Sequence, residues 1–307
     1  SSFPEDHILS LSFPGMHGVA WASLALDKAD LIIAIGSRFD DRITGDTKRF
    51  STGSKKIHID IDPAEINKNI KVDVPLVGNV KDVLKQLTPI VEGKTHENWI
   101  RTVEQLKADH PSLSIRETDD LLGQHVIKAL FEVTKGKAII VTGVGQHQMW
   151  AAQHYHFYEQ NSFVTSGGLG TMGFEVPAAM GAQVGRPDRN VWSVAGDGGF
   201  QMTMSELATI VENDIPVNFA IMNNNHLGMI TQWQELFFNK DYKANAYTAN
   251  PDFAKLANAF GMKSRRVEKQ EDLKDAIREA EDHTGPFLID FIIKKEENVY
   301  PMIPSGQ

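Results

Sequence analysis

Apolar runs recur along the chain at intervals typical of strands that alternate with helices. In the first part, LIIAIG (31–36) and KKIHIDI (55–61) are rich in β-branched residues and are flanked by helical or turn sequence. Continuous apolar runs of this length are typical of buried parallel strands. Residues 1–90 are therefore predicted to be part of an α/β domain.

The alternation becomes regular from about residue 119. Helices are predicted over 119–133, from Gln146, from Phe174, over 200–213, beyond His226, from Asp252 and over 271–283, and strands are predicted at KAIIVTG, FVTS, NVWSVAG, VNFAIMN, KSRRVE and FLIDFII. Repeated strand–helix units predict an α/β fold with a doubly wound parallel sheet over 119–307. The polar segment 91–118 contains a helix that Pro111 should end, and it is predicted to be a connector.

Composition and charge narrow the class of protein. With 307 residues and 41% hydrophobic composition, the chain is long enough for two domains that each bury a core. A net charge of −9 with interspersed signs argues against a nucleic-acid partner. The absence of cysteine excludes disulfides, thiolate metal sites and cysteine nucleophiles. The sequence shows neither an apolar run long enough for a membrane nor a leader, so we expect no membrane partner and a cytoplasmic location.

Small and amide residues follow two neighbouring predicted strands. VWSVAGDGGF (191–200) places Asp197 after one strand, and NFAIMNNNHLG (218–228) places Asn224 after the next. The intervening segment has room for one helix and one strand, so both side chains should lie at the same edge of the sheet. A carboxylate, an amide oxygen and the backbone carbonyl of His226 would suit Mg²⁺, and Gly198 would leave room for a diphosphate. A simple tight turn is the alternative for GDGG taken alone.

GDGGF followed by NN resembles the thiamine-diphosphate motif of the decarboxylase and carboligase superfamily. TGVGQHQMWAAQ (142–153), TSGGLGTMGFEVPAA (165–179) and NNNHLGMITQW (223–233) resemble the catalytic large subunit of acetohydroxyacid synthase, also called acetolactate synthase, and the likeness covers nearly the whole chain. It implies the thiamine-diphosphate-binding fold and the cofactors thiamine diphosphate, Mg²⁺ and FAD. It also implies the substrates pyruvate and 2-ketobutyrate, a homodimer or larger oligomer, and a regulatory small subunit.

The resemblance assigns roles to individual residues of the second region. Cofactor contacts are implied for Val144, Gly145, Gln146, His147, Gly170, Met172, Asp197, Gly198, Gly199, Asn224, His226, Gly228 and Met229. Asp197, Asn224 and His226 are the implied metal ligands. Met172 would be an apolar wedge under the cofactor, and Trp233 with Met229 would shape the second-substrate pocket. The alternatives are a structural histidine at position 147, a core methionine at position 172 and ordinary burial of Trp233.

PGMHG (14–18), GSRFDDRITG (36–45) and DIDPAE (60–65) resemble the flavin-binding central domain of the same enzymes, here in partial form. FAD contacts are implied for Gly15, Met16, His17, Gly36, Arg38, Asp41, Arg42, Asp60 and Glu65. A salt-bridged surface loop is the alternative for RFDDR. Two positions depart from the family pattern: Asn79 stands where an aspartate is usual, and Glu175 stands where a small residue is commoner.

The family's general acid–base glutamate belongs to an amino-terminal domain that this sequence does not contain. No catalytic residue is therefore assigned here, and the chain alone is expected to be inactive, because the active site forms between domains of two subunits. Two other interpretations stay open. One is a different thiamine enzyme, such as a pyruvate oxidase or the FAD-free catabolic acetolactate synthase, which RFDDRITG and Trp233 disfavour. The other is a non-catalytic cofactor-binding module.

Overall fold

The computed structural model describes residues 2–304, which form two compact units. The small unit contains Leu11–Ser114 and residues 300–304, and the large unit contains residues 2–10 together with Ile115–Val299. Among residues 2–304, no helix combines the length and the apolar character needed to cross a membrane. The domain boundaries given above stay predictions.

The small unit is built on a three-stranded parallel sheet in the order β1-β2-β3. Its strands are β1 Leu31–Ile35, β2 Lys55–Asp60 and β3 Val74–Val77. Its helices are α1 Ala20–Lys28, α2 Asp41–Thr44, α3 Val80–Leu87 and α4 Glu97–Asp109, with a 3₁₀ turn at Thr88–Ile90. The helix predicted before Pro111 is confirmed as α4, which packs against α1 through Val103 and Leu106.

The strand β1 of this small sheet is well covered on one face only. Along β1, Ile32 and Ala34 point into the unit, whereas Leu31, Ile33 and Ile35 are 46%, 46% and 47% exposed. Alternation of this kind is usual for antiparallel sheets with one wet face, while parallel sheets are normally covered on both faces. The small unit therefore leaves an apolar strand surface in contact with solvent.

The large unit carries a six-stranded parallel sheet in the order β5-β4-β6-β7-β9-β8. Its strands are β4 Ile139–Thr142, β5 Phe163–Thr165, β6 Val191–Gly196, β7 Val217–Asn223, β8 Lys263–Val267 and β9 Phe287–Ile292. Its helices are α5 Gly123–Thr134, α6 Gln146–His154, α7 Glu175–Gly185, α8 Asp197–Thr203, α9 Leu207–Glu212, α10 Gly228–Phe237, α11 Phe253–Ala259 and α12 Leu273–Glu281, with 3₁₀ turns at Met204–Glu206 and Gln270–Asp272.

Helices cover both faces of the large sheet. Ile127 on α5, Trp150 on α6 and Ile277 on α12 belong to the apolar cluster on one face. Val176 on α7 and Phe253 on α11 belong to the cluster on the other face. The strands between them are buried on both sides, which explains why β6 and β7 read as unbroken apolar runs. The doubly wound parallel sheet predicted from the sequence is confirmed.

Two helices begin three or more residues from their predicted starts. The helix expected over 200–213 begins earlier, at Asp197, and continues through a 3₁₀ turn into α9. Asp197 allows the early start because its carboxylate accepts a hydrogen bond from the Gly198 N–H in the first turn. The helix expected from 119 begins later, at Gly123, where the His125 side chain accepts a hydrogen bond from the Leu122 N–H.

Candidate functional site

The order in which the chain adds strands to the large sheet reverses between β4 and β6. From β4 it passes through α6 to the edge strand β5, whereas β6 continues through α8 toward β7 on the other side. Helices that follow neighbouring strands on opposite faces leave a crevice at the carboxyl ends of those strands. The loop after β4, the start of α8 and the loop after β7 surround this crevice in the large unit.

Asp197 is the buried acid at the end of β6. Its side chain is 2% exposed. One carboxylate oxygen accepts a hydrogen bond from the Gly198 N–H at 2.9 Å, and the other accepts one from the Asn250 side-chain amide at 2.8 Å. Burial raises the pKa of the Asp197 carboxyl to about 6, although hydrogen bonds from Asn250, Gly198 and Asn225 oppose the rise. A nearby cation would stabilise the ionised form of this buried carboxylate.

The loop after β7 reaches the same acid. The backbone N–H of Asn225 is close enough to lower the pKa of Asp197, so the tips of β6 and β7 converge. The Asn224 side-chain oxygen accepts a hydrogen bond from the His226 N–H at 3.0 Å. His226 pairs with Ala246 in an isolated antiparallel bridge whose hydrogen bonds come from the flanking residues. The backbone carbonyl of His226 is therefore left out of that pairing.

Gln146 connects the loop after β4 to α10. Its amide nitrogen donates to Gln232 Oε1 at 3.0 Å and to the backbone carbonyl of Glu297 at 2.9 Å. Its Oε1 is buried and has no hydrogen-bond partner among the described residues. A Cβ at Gly228 would lie 2.0 Å from this oxygen, so a larger residue there would require the Gln146 side chain to move. Gln146 and Gly228, both predicted cofactor contacts, are thus brought together.

His147 lies at the bottom of the crevice as a buried neutral imidazole. Burial lowers its pKa to about 3, and its Nε2 has no hydrogen-bond partner in the part of the chain that is described. Its ring lies about 3 Å from the positions that Cβ atoms at Gly145 and Gly196 would occupy. Gly145 has φ 150°, a backbone conformation that other residues rarely adopt. The ring therefore occupies space that these two glycines leave open.

Glu175 is a further buried acid of the crevice. It is 0% exposed, and neither carboxyl oxygen makes a hydrogen bond of ordinary geometry within residues 2–304. Burial raises its pKa to about 7, and the nearby N–H groups of Glu175 itself and Gly173 oppose this shift. The sequence marked Glu175 only as a departure from the family pattern, without a role.

The remaining predicted cofactor and substrate residues lie in the loop before α7 and in the first two turns of α10. Gly170 has φ 70°, and a Cβ there would contact Val144 at 3.9 Å. Met172 is partly buried in the loop before α7. Met229 packs against the core in the first turn of α10, and Trp233 stacks obliquely on Phe237 one turn further on, with ring centroids 5.1 Å apart.

The donor set of the crevice fits thiamine diphosphate with Mg²⁺. Within residues 2–304 no group of three His, Cys, Asp or Glu side chains could hold a metal ion, so a site rich in carboxylates is absent there. One buried carboxylate, one amide oxygen and one free carbonyl are instead the few hard oxygen ligands that Mg²⁺ accepts when phosphates supply the rest. The unpartnered Gln146 Oε1 and His147 Nε2 are polar atoms that a polar ligand would satisfy.

Three of the predicted flavin contacts line one cavity of about 290 Å³ in the small unit. These are Gly15, Met16 and Asp41. A Cβ at Gly15 would lie 2.3 Å from the Arg42 carbonyl, which also accepts a hydrogen bond from the Met16 N–H at 2.7 Å. Next to them, His17 is buried and faces the Pro301 carbonyl at 3.3 Å, and burial lowers its pKa.

The other predicted flavin contacts lie at the ends of β1 and β2. The Gly36 N–H donates to the Ile59 carbonyl, and Asp60 is buried with one oxygen accepting from the Asp62 N–H at 2.9 Å. Arg38 pairs with Asp40 at 2.7 Å and Glu65 pairs with Lys68 at 2.9 Å. Arg42 pairs with Asp41 at 2.6 Å. These ion pairs match the surface-loop alternative as well as the flavin one.

Asn79 caps α3 by accepting a hydrogen bond from the Lys81 N–H.

Sequence reasoning missed residues that come from distant parts of the chain. Asn250 donates to both Asp197 and Asn223, at 2.8 Å and 3.2 Å, from a loop with no recognisable pattern. Gln232, which orders Gln146, is buried inside α10 and also contacts the Val299 backbone. The spacing of Gln232 from Gly228 by one helical turn is the only signal that would have indicated it.

Comparisons with known protein families match both parts of the chain. The family described as "Thiamine pyrophosphate enzyme, C-terminal TPP binding domain" matches residues 143–291. The family described as "Thiamine pyrophosphate enzyme, central domain" matches residues 1–87. The first match contains the crevice, and the second contains the cavity in the small unit.

The curated relatives that match this chain include several acetolactate synthases. The chain is 44% identical to acetolactate synthase 1, chloroplastic, of Nicotiana tabacum, over 99% of this chain and 48% of the relative. It is 44% identical to the acetolactate synthase large subunit of Corynebacterium glutamicum, over 99% and 50%, and 43% identical to the acetolactate synthase of Mycobacterium leprae, over 99% and 51%. The chain thus spans about half the length of these relatives.

Proposed function

We propose that this chain, which belongs to the thiamine pyrophosphate enzyme family, supplies the diphosphate- and Mg²⁺-binding half of an acetohydroxyacid synthase site. The intact enzyme would decarboxylate pyruvate and condense the product with a second 2-ketoacid. The products would be 2-acetolactate or 2-aceto-2-hydroxybutyrate, which belong to branched-chain amino-acid biosynthesis. The observation that carries the proposal is the convergence of two strand tips on the buried carboxylate of Asp197.

Bound thiamine diphosphate would supply the carbon nucleophile and the electron sink of the reaction. The chain's own residues would hold it in place. Asp197, the Asn224 side-chain oxygen and the His226 carbonyl would bind Mg²⁺, and the Gly198 and Gly199 backbone would lie against the phosphates. Gln146 and the neutral His147 would each offer one unpartnered polar atom to the cofactor or substrate.

The choice of the second substrate would be made beside α10. Met229 and Trp233 lie one turn apart on this helix, directly after the metal-binding loop. An apolar wall at this place would favour the larger 2-ketobutyrate over pyruvate by about 1 kcal/mol per methylene. In the intact enzyme, Trp233→Leu should therefore lower the ratio of 2-aceto-2-hydroxybutyrate to 2-acetolactate when both ketoacids compete. An unchanged ratio would remove Trp233 from the pocket.

The small unit would hold FAD in a structural role, with Gly15, Met16 and Asp41 at the cavity and Arg38 and Glu65 among the remaining contacts. We further propose a homodimer or larger oligomer. The Corynebacterium relative is named a large subunit, which supports a regulatory small subunit as a partner. The cytoplasmic location stays a prediction, and the tobacco relative is named chloroplastic.

Calorimetry with thiamine diphosphate tests the proposal directly. The chain should bind the cofactor only with Mg²⁺ present, and Asp197→Ala should weaken binding by at least about 100-fold, since loss of even an outer-shell metal partner typically costs 10- to 100-fold. Asp188→Ala is the matched control, because Asp188 lies on the surface in an ion pair with Arg186. Equal affinities for the two variants would refute the assignment of the metal site.

Turnover tests the half-site interpretation. The 307-residue chain should form no acetolactate from pyruvate by itself, even with all three cofactors in excess, and activity should appear when a separately expressed amino-terminal half of an acetohydroxyacid synthase is added. A positioned acid–base group is worth about 10² to 10⁴ in rate, so the difference is easily measured. Cofactor binding without activity in the mixture would favour the non-catalytic module instead.

A further inference from the structure

Glu175 is the buried group of the crevice that the proposed function leaves unused. It is the first residue of α7, and its carboxyl group points inward between the end of β4 and the first turn of α8. A Cβ at Gly143 would lie 2.4 Å from one of its oxygens, and a Cβ at Gly199 would lie 3.0 Å from the other. The carboxyl group therefore fills space beside Gly199, where the phosphates are proposed to bind.

The surroundings of Glu175 provide no countercharge. The helix α7 packs against β4, β6, β7, α8 and the turn Met204–Glu206. The three strands carry no charged side chain, and the titratable groups on the other neighbours are Asp197 and Glu206. Asp197 is turned toward Asn250 and the Gly198 N–H. His147 is the remaining titratable group nearby, because its Nε2 lies 2.9 Å from the position that a Cβ at Gly143 would occupy. Within residues 2–304, no cation pairs with Glu175.

An ionised carboxylate is poorly suited to this position. An unpaired buried charge is strongly unfavourable, and a second anion beside a diphosphate would add repulsion. A neutral carboxyl group avoids both penalties, and burial raises the pKa of Glu175 to about 7, which makes this form accessible near neutral pH. The neutral form also has an O–H donor that needs an acceptor, because a buried donor without a partner destabilises the folded protein.

We propose that Glu175 is a diphosphate-binding residue that acts in its uncharged form and donates its O–H to a phosphate oxygen of the bound cofactor. The inference rests on the proposed function, because it requires a diphosphate beside Gly199. It assigns a role to a residue that the family pattern does not supply, since a small residue there would leave the same space without a donor. Cofactor binding then requires Glu175 to keep its proton.

The pH dependence of cofactor affinity tests this requirement. Thiamine diphosphate with Mg²⁺ is titrated into the 307-residue chain and its Glu175→Gln variant between pH 6 and pH 9. Glutamine keeps an uncharged donor, so the ratio of the wild-type Kd to the variant Kd should be close to one at pH 6. It should rise to about tenfold at pH 8 and about a hundredfold at pH 9, as expected for a proton lost with a pKa near 7.

The ratio removes contributions that both proteins share, namely the titration of the cofactor's phosphate and of Asp197. Glu175→Ala separates hydrogen bonding from packing: it should bind with the same flat dependence as Glu175→Gln but more weakly. Glu212→Gln, an exposed change at the end of α9, should follow the wild type. A ratio that stays constant from pH 6 to pH 9 while the wild type binds would overturn the role of Glu175 and leave the proposed function intact.

Infrared spectroscopy of the cofactor-free chain provides a second test that does not depend on binding. The spectrum of the wild type minus that of Glu175→Gln should contain a protonated-carboxyl band at pH 6 that disappears by pH 9, because the band of Asp197 is common to both proteins and cancels. Absence of the band from this difference would overturn the neutral form. Failure of the wild type to bind the cofactor at any pH would overturn both the proposed function and the phosphate contact. Circular dichroism of each variant establishes that it is folded.

Discussion

The two parallel sheets of this chain differ in how far other parts of the chain cover their faces. The large sheet is covered by helices on both faces, and residues such as Phe219 on β7 are fully buried. In the small sheet, β1 is covered on one face, and Leu31, Ile33 and Ile35 remain about half exposed on the other. The difference extends to the candidate sites. Several predicted residues of the large unit, among them Gln146, His147 and Asp197, lie in one crevice, whereas those of the small unit are divided between a cavity and two strand ends.

The comparison shows why the two sets of predicted residues have different support. In the large unit, buried polar atoms without partners lie among the predicted contacts, and burial displaces the pKa values of Asp197, His147 and Glu175. Such groups are costly unless a ligand satisfies them. In the small unit, Glu65 Oε2 is also buried without a hydrogen-bond partner among the described residues, but the exposed ion pairs of Arg38 and Arg42 are already satisfied locally and cost little.

The largest expected effect is a difference in stability between a substitution in the large sheet and one in the small sheet. Phe219→Ala should lower the free energy of unfolding by about 3–5 kcal/mol, because it removes a buried ring and leaves a cavity. Ile33→Ala should cost less than about 1 kcal/mol, because its side chain is already half exposed. Urea unfolding followed by circular dichroism measures both. If Ile33→Ala cost as much as Phe219→Ala, the exposed face of β1 would be covered in solution and the comparison would fail.

Ligand addition should stabilise each unit separately. Thiamine diphosphate with Mg²⁺ at about 100 times its Kd should stabilise the large unit by about 2.7 kcal/mol, and FAD at the same ratio should do so for the small unit. Hydrogen exchange read by mass spectrometry locates the protection. Thiamine diphosphate is expected to slow exchange after β4, β6 and β7, and FAD around residues 14–18 and 36–45. Protection of the small unit by thiamine diphosphate would contradict the separation of the two sites.

Acid should affect the large unit through His154. Burial lowers the pKa of His154 to about 4, and the positive charges of its neighbours add to this shift. Since the unfolded chain binds the proton at about pH 6.5, stability should fall as pH drops from 6.5 to 4, by on the order of 2 kcal/mol. His154→Gln should remove that part of the loss in acid denaturation. His110→Gln, an exposed change in the small unit, should leave the loss unchanged.

The smallest expected effect concerns the flavin site. Arg38 is about half exposed and already paired with Asp40, so its proposed contact with FAD should be weak, and Arg38→Ala should change FAD affinity by less than about 1 kcal/mol, or roughly fivefold. Fluorescence titration of FAD measures the change, and Arg101→Ala on α4 is the exposed control. A loss of 100-fold or more would show that Arg38 leaves its ion pair to bind the flavin, and would bring the small unit closer to the large one in how its site works.

The sequence predicted the positions of Asp197 and Asn224 well for a simple reason. Both follow apolar runs that can only be buried strands, and parallel strands joined by one helix must end at the same edge of the sheet. The strands of the large unit and the helix before Pro111 follow from the same local patterns. These features depend on residues close in the chain, so periodicity and glycine placement are sufficient to predict them.

Only the tertiary structure brought Asn250 to Asp197 and Gln232 to Gln146, because these partners are 53 and 86 positions apart in the chain. It also decided that one face of β1 is exposed, which the run LIIAIG does not reveal. The protonation of Glu175 also depends on the tertiary structure. Its side chain is an ordinary acid in the sequence, and its raised pKa arises only where β4, β6 and α8 surround it without a countercharge. Burial is a property of the assembled neighbours, and no local pattern encodes it.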